Sequence, residues 1–337
     1  MKIKYTKPLA LGLLILPIII SLFCIGIGRY SVSISESLNI LMQNIMGVKG
    51  EVNTQAYSVI INMRLPRIIL ALLCGMGLST SGVAFQALFS NPLTSPDTLG
   101  VSAGASFGAA LALLFGMNLV VVQISALIFG LVAVCIAFFI SRSKGKSSIV
   151  MMVLGGLVVT YMFQAFVSLI KYVADTESKL PSITYWLMGS LTGATYKSLL
   201  IGSPLIVVGC FIIFFLRWKL NVLSLSEDES KSMGINVLQL RICIILAATA
   251  VTASCVSMCG VVGWVGLLIP HVARMFFGNN NSYVVPVSMS LGAVFLVIVD
   301  TIARTATAAE IPISILTAVI GAPFFIFLLK RTGGGWN

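Results

Sequence analysis

The chain has 337 residues, 58% hydrophobic and 9% charged, with a formal net charge of +11. A soluble domain carries about 25% charged residues. Here the apolar residues form long runs, among them Leu9–Ile27, Ile149–Ile170, Leu199–Leu216 and Ile242–Val262. About 20 apolar residues cross a hydrocarbon core of about 30 Å, so a soluble protein is excluded and an all-α integral membrane protein is expected. A membrane barrel would alternate polar and apolar residues, which these runs do not. The basic residues mostly flank the runs, so the charge reports membrane topology and not nucleic acid.

In chain order, Met1–Lys7 is basic and leads into the first apolar run. No small-x-small cleavage site follows cleanly, so this reads as an uncleaved first span. Ten spans are expected, near 8–28, 60–84, 98–115, 118–140, 149–171, 197–217, 240–261, 263–275, 284–303 and 311–329. The eighth is too short to cross alone. With both termini cytoplasmic, the inner side holds the Lys and Arg residues at 2, 4, 7, 142, 144, 146, 217, 219, 231, 241, 274, 330 and 331. The outer side then holds those at 29, 49, 64, 67, 171, 179, 197 and 304, and the bias favours this orientation.

Small residues recur at Ala71, Gly75 and Ser79, and at Gly100, Gly104, Gly108 and Ala112. That spacing lets helix backbones approach closely in a compact bundle. The whole chain, 1–337, reads as one membrane domain. Its longest polar segment is Asn221 to Asn236, containing LSEDESKSMGINV. Two readings stand for it: a short helix closed by Gly234 as a C-terminal cap, or a solvated loop. Proline is expected to break the eighth span at Pro270 and to interrupt the tenth at Pro323, and Asn91-Pro92 marks a turn.

No catalytic constellation is visible. His271 has no carboxylate or cysteine near it in sequence, and the seven cysteines lack a metal-ligand spacing, so they read as small buried hydrophobes. Gly145-Lys146-Ser147 looks like the tail of a phosphate loop, but the glycine required five residues earlier is Ile140. Asp300 is the only acid deep in an apolar run, and Arg304 four residues on can neutralise it. A proton- or sodium-coupled carrier would show several ionisable residues inside its spans. Their scarcity points to an energy source in another subunit. The bundle is expected to bind neither cofactor nor metal.

Four blocks then carry a resemblance. The first runs from 64 to 109, with Arg64-Leu-Pro-Arg67, Ser81-Gly82 before Gln86, Asn91-Pro92-Leu93, and Leu99-Gly100 before Gly104-Ala105. The second surrounds Glu227 to Gly234. The third is GVVGWVGLLIPHVAR, residues 260–274. The fourth is Asp300 to Arg304 followed by EIPISILTAVIGAPFFIFLL, residues 310–329. In order and spacing the chain resembles the permease family of bacterial ABC importers for iron–siderophores, haem and cobalamin. It departs from that family at Trp264, where Phe is usual, and at Ser226, Ser230 and Met233, where Gly, Ala and Leu are favoured.

The resemblance implies a ten-helix bundle of the type II ABC importer kind in the bacterial cytoplasmic membrane. Its pathway would run between this chain and a second copy or a sister permease, lined by the fifth and tenth spans. Two ABC ATPase subunits, using ATP and Mg, would sit below, and an extracytoplasmic solute-binding protein would dock above. The residues Glu227, Asp228, Glu229, Ser230, Met233 and Gly234 would form the coupling helix seated on the ATPase. Arg64, Arg67 and Arg304 would pair with glutamates of the binding protein, because a planar guanidinium binds carboxylate bidentately. The alternative for these arginines is an interfacial anchor or a partner within the chain, such as Asp300 for Arg304. Ser147 and Ser148, at the start of the fifth span, would form the inner gate or simply cap the helix. An iron–siderophore is the expected substrate, with haem or cobalamin as alternatives. A stand-alone carrier or channel, and a purely structural scaffold, are the alternatives of a different class.

Overall fold

A computed structural model describes residues 6–47, 53–143, 146–147, 149–224, 229 and 233–332. Among the described residues there are thirteen α-helices, in chain order: α1 Lys7–Gly26, α2 Ile34–Met46, α3 Thr54–Tyr57, α4 Leu65–Leu88, α5 Val101–Leu114, α6 Leu119–Ser141, α7 Ile149–Val173, α8 Lys179–Leu187, α9 Tyr196–Phe215, α10 Val237–Cys259, α11 Val265–Phe277, α12 Asn281–Ala306 and α13 Ile313–Thr332. A π-helix, Ser58–Arg64, joins α3 to α4, and short 3₁₀ turns occupy Pro96–Leu99 and Lys219–Ser224. Arg142–Ser143 and Lys146–Ser147 form a two-residue antiparallel ladder between α6 and α7.

Among the described residues, seven helices are long and apolar enough to cross a membrane, and Val101–Leu114, Val265–Phe277 and Ile313–Phe327 are shorter apolar helices. The two central elements are α4 and α10, which are buried along most of their length and hold the core with α9, α11 and α12. In contrast, α1 lies at the edge and exposes Leu11, Leu14, Ile18 and Phe23. Exposed aliphatic surface of this kind matches a lipid environment, where helices satisfy their own backbone hydrogen bonds.

The small-residue faces pack as their spacing predicts. A Cβ on Gly75 would stand 2.2 Å from the Gly292 carbonyl oxygen of α12, and one on Gly108 would stand 2.4 Å from the Ser125 carbonyl oxygen of α6. No side chain fits at either position. The Ser79 hydroxyl reinforces the first contact, donating to the Ser288 carbonyl at 2.8 Å.

Three expectations are corrected. Pro270 does not break α11, which runs on to Phe277 and ends at Gly278, φ +77°. Pro323 likewise sits inside an unbroken α13. Each proline removes one helix hydrogen bond, which neighbouring helices and local adjustment tolerate in a membrane bundle. The shortness of α11 instead comes from its N-terminal side, where Gly260 and Trp264 both adopt positive φ and turn the chain. Of the cysteines, Cys24, Cys74, Cys210, Cys255 and Cys259 are buried, whereas Cys135 and Cys243 are exposed on the flanks of α6 and α10.

Proline also acts at the start of α4. Pro66 has no N–H, and its ring crowds the carbonyl four residues back. The preceding turn is a π-helix, with the Leu65 N–H donating to the Ile60 carbonyl five residues earlier. The wider turn accommodates the ring, and Arg64 within it is buried.

Candidate functional site

The bundle has two chemically distinct ends. One gathers the arginines flagged by the sequence, and the other gathers His271, Arg274 and the 3₁₀ turn Lys219–Ser224.

At the arginine end the structure turns the three guanidiniums inward. The α1 helix leaves its last carbonyls without intrahelical partners, and they carry the negative end of its dipole. Arg64 Nη1 donates to the Ile25 carbonyl at 2.8 Å and the Gly26 carbonyl at 3.0 Å, and Nη2 donates to the Tyr30 carbonyl at 2.6 Å. Arg304 Nη2 donates to the Cys24 carbonyl at 2.5 Å. Arg64 and Arg304 are 5% and 7% exposed, so neither presents its guanidinium at the surface. They fasten α1 to α4 and α12, and Arg29 adds a hydrogen bond from the following loop to the Thr307 carbonyl.

Arg67 holds a second constellation. Its Nε lies 2.9 Å from Asp300 Oδ1, and its Nη1 lies 2.9 Å from Glu310 Oε2. Arg304 Nε stands 3.8 Å from the other Asp300 oxygen, so the anticipated i,i+4 pair exists but is the looser of two. The Asp300 side chain is 1% exposed and that of Glu310 is 26% exposed, so the cluster reaches the surface only through Glu310. Two cations and two carboxylates balance, which is what burial demands. Glu310 was invisible as a partner in sequence, because it lies 243 positions from Arg67 and on a loop, with φ +51°.

At the opposite end, His271 Nε2 lies 3.0 Å from the Pro92 carbonyl, and its ring meets the edge of Phe325. The contact ties α11 to the Asn91-Pro92 turn, where the Leu93 N–H donates to Asn91 Oδ1 at 2.9 Å. Arg274 hydrogen-bonds the Gln86 side-chain oxygen, joining α11 to α4. In the coupling segment, Glu227, Asp228 and Ser230 lie outside the described residues. Glu229 is helical, the Met233 N–H donates to its carbonyl at 3.3 Å, and Gly234 follows with φ +72°. The exposed Met233-Gly234 turn leads into α10, capped by the Asn236 side chain accepting from the Gln239 N–H. For the gate, Ser148 lies outside the described residues, and Ser147 pairs with Arg142 in the two-stranded ladder before α7.

Among the cavities between the described helices, two are spacious and lined by both polar and apolar side chains. One, of about 930 Å³, lies among the starts of α6 and α9, the helix α8 and the end of α10, with Trp186, Lys197 and Met258 in its wall. The other, of about 500 Å³, is a groove between α5 and α7 whose wall includes Asp97, Ser102, Gln164 and Lys171. The Ser102 hydroxyl donates to Asp97. Burial pushes the Asp97 carboxyl above its ordinary value, partly opposed by that hydrogen bond. The α7 wall belongs to the fifth expected span, which the family resemblance assigns to the pathway, and Thr160, Gln164, Ser168 and Lys171 recur on one face of that otherwise apolar run.

Seven helices long and apolar enough to cross a membrane, with ion pairs sequestered at one end of the bundle, define the class as a multi-pass helical membrane protein. The chain belongs to the FecCD transport family, whose model matches residues 13–331. It is thus a permease of an ABC importer and not itself an enzyme. It is 41% identical over 329 residues to the "Molybdate import system permease protein MolB" of Haemophilus influenzae, covering 97% of this chain and 96% of that one. It is 37% identical over 332 residues to the "Probable iron chelatin transport system permease protein" of Helicobacter pylori, covering 98% and 99%. A solved ABC transporter chain, described as inward-facing and as of a suggested metal-chelate type, superposes with a TM-score of 0.85 at 39% identity, covering 97% of this chain and 100% of that one.

Proposed function

We propose that this permease works as one of a pair, a second copy or a sister chain, and carries an iron chelate across the bacterial cytoplasmic membrane. Two ATPase subunits drive it, and a solute-binding protein delivers the cargo. Both termini are cytoplasmic in this reading, which puts the arginine end outside. The observation that carries it is the end-to-end match to transport permeases, one of them named for an iron chelate.

ATP-driven closure of the ATPases moves the segment Glu227 to Gly234, and the bundle changes which side it opens to. A ligand or partner can drive such a change only by binding the two states unequally. For docking of the binding protein, Arg67 with Glu310 is the arginine contact nearest the surface, while Arg64 and Arg304 act by holding α1 in place. Ser147 and Ser148 remain the proposed inner gate.

A second reading, import of molybdate, is favoured by the 41% identity to a molybdate permease. Proteoliposomes holding the permease, its ATPase and its binding protein separate the two. ATP-dependent accumulation of ⁵⁵Fe-chelate supports the first reading, and accumulation of ⁹⁹Mo-molybdate supports the second. Uptake that survives removal of the ATPase refutes both in favour of a carrier or channel.

A further inference from the structure

A polar side chain facing lipid is costly, so polar residues within a membrane helix face water, protein or a ligand. The α7 helix is apolar except along one face, where Thr160, Gln164, Ser168 and Lys171 follow one another at helical spacing. Three-to-four-residue steps place them in one line. That line is not buried against a neighbouring helix. It forms one wall of the groove of about 500 Å³, and α5 supplies Ser102 and Ser106 on the other side. The volume is within the range of small-molecule sites.

The groups in this groove differ in what they have left to offer. The Thr160 hydroxyl donates to the Gly156 carbonyl, and the Ser168 hydroxyl donates to the Gln164 carbonyl. Ser102 is committed to Asp97. The Lys171 ammonium, the Gln164 side-chain amide and the Ser106 hydroxyl have no hydrogen-bond or ion-pair partner among the described residues. The nearby Asp175 carboxylate accepts instead from the N–H and hydroxyl of Ser178. So the free groups are one cation, one amide and one hydroxyl, and the cation can only donate.

The charges are also ordered along the groove. Gly100, beside Asp97, packs at the level of Gly156 and Thr160. At 1.5 Å per residue, Lys171 is about 16 Å further along α7. A solute entering from the arginine end meets the cation first and the carboxylate last.

We propose that this groove is an anion-binding site, with Lys171 as the ion-pair partner and Gln164 and Ser106 as neutral donors. Its ligand is a small anion rich in acceptor oxygens, either a metal oxyanion or a carboxylate-bearing metal chelate. Asp97 marks the inner limit of the site, because an anion held by Lys171 is repelled there. This deepens the import reading and rests on it for the direction of travel, but the binding itself is testable without transport.

The test uses the permease–ATPase complex in nanodiscs, with equilibrium binding of ⁹⁹Mo-molybdate and of ⁵⁵Fe-citrate measured separately. Wild type is expected to bind at least one of them. Lys171→Gln is expected to weaken that binding at least tenfold, and Lys171→Glu to abolish it. Lys171→Arg should restore it, and rising salt should weaken it as for a screened charge. Gln164→Leu, which keeps the charge, is expected to lose less. The probe that binds identifies the oxyanion or the chelate as the source. Size-exclusion profiles restrict the comparison to folded variants. Wild-type affinity in a monodisperse Lys171→Glu complex overturns the proposal, as does failure of wild type to bind either anion. Failure of the import reading is a different result: no ATP-dependent uptake by wild-type proteoliposomes, whatever the nanodiscs bind.

Discussion

Arg67 decides between two uses of an arginine at the mouth of a membrane helix. As a free docking group it could be replaced at little cost to the fold. The structure instead places its Nε 2.9 Å from an Asp300 carboxylate that is 1% exposed. Two unit charges about 4 Å apart interact by about 4 kcal/mol at an effective dielectric of about 20. Removing one member of a buried pair costs about 3–5 kcal/mol, because the other is left uncompensated. Arg67→Met therefore leaves Asp300 with only the 3.8 Å contact to Arg304, and should destabilise by about 3 kcal/mol or more. Arg67→Glu should be worse, since it sets a third carboxylate beside Asp300 and Glu310. The assay is reversible unfolding in mixed micelles with a double-mutant cycle. Arg67→Met combined with Asp300→Leu should recover most of the loss, as apolar replacement of a buried pair often does. If Arg67→Met unfolds like wild type within about 0.5 kcal/mol, the size of an ordinary surface substitution, the cluster is not structural and the reasoning is wrong.

Three further outcomes follow from the same geometry. Arg64→Ala removes three hydrogen bonds to the end of α1, each worth about 1.5–3 kcal/mol when charge-assisted; hydrogen exchange should rise at residues 24–30 before it rises in α4. Gly75→Val forces a side chain against the Gly292 carbonyl, 2.2 Å from the new Cβ, and should abolish monodisperse protein on size exclusion, whereas Gly12→Val, with nothing within 4 Å, should not. Asp97→Asn tests pH dependence. The folded-state carboxyl is raised above its ordinary 3.8, so the folded state binds more protons in that window and loses stability as pH rises through it. The amide should therefore melt higher than wild type at pH 7, with the difference closing as pH falls towards 4; an unchanged difference across that range would show that Asp97 is not desolvated.

Hydropathy alone identified the membrane class and the segments that became α1, α4, α6, α7, α9, α10 and α12, because a run of apolar residues long enough for a bilayer has few alternatives. Small-residue spacing predicted the close contacts of α4 and α5 for an equally local reason: backbone approach depends only on side-chain volume along one face. The motifs from Arg64 to the C-terminus carried the family. The polar face of α7 was equally legible, since it too is a local periodicity.

The destinations of the arginines were not legible. Arg67 meets partners 233 and 243 positions away, and Arg64 binds backbone carbonyls, which leave no trace in residue identity. Topology could place these cations at one end of the bundle, but not say which way they turn. That choice belongs to the tertiary structure, because a buried charge goes wherever opposite charge or unpaired carbonyls are assembled around it. The same holds for Pro270 and Pro323. The residue predicts a lost hydrogen bond, and only the surrounding helices determine whether the helix stops.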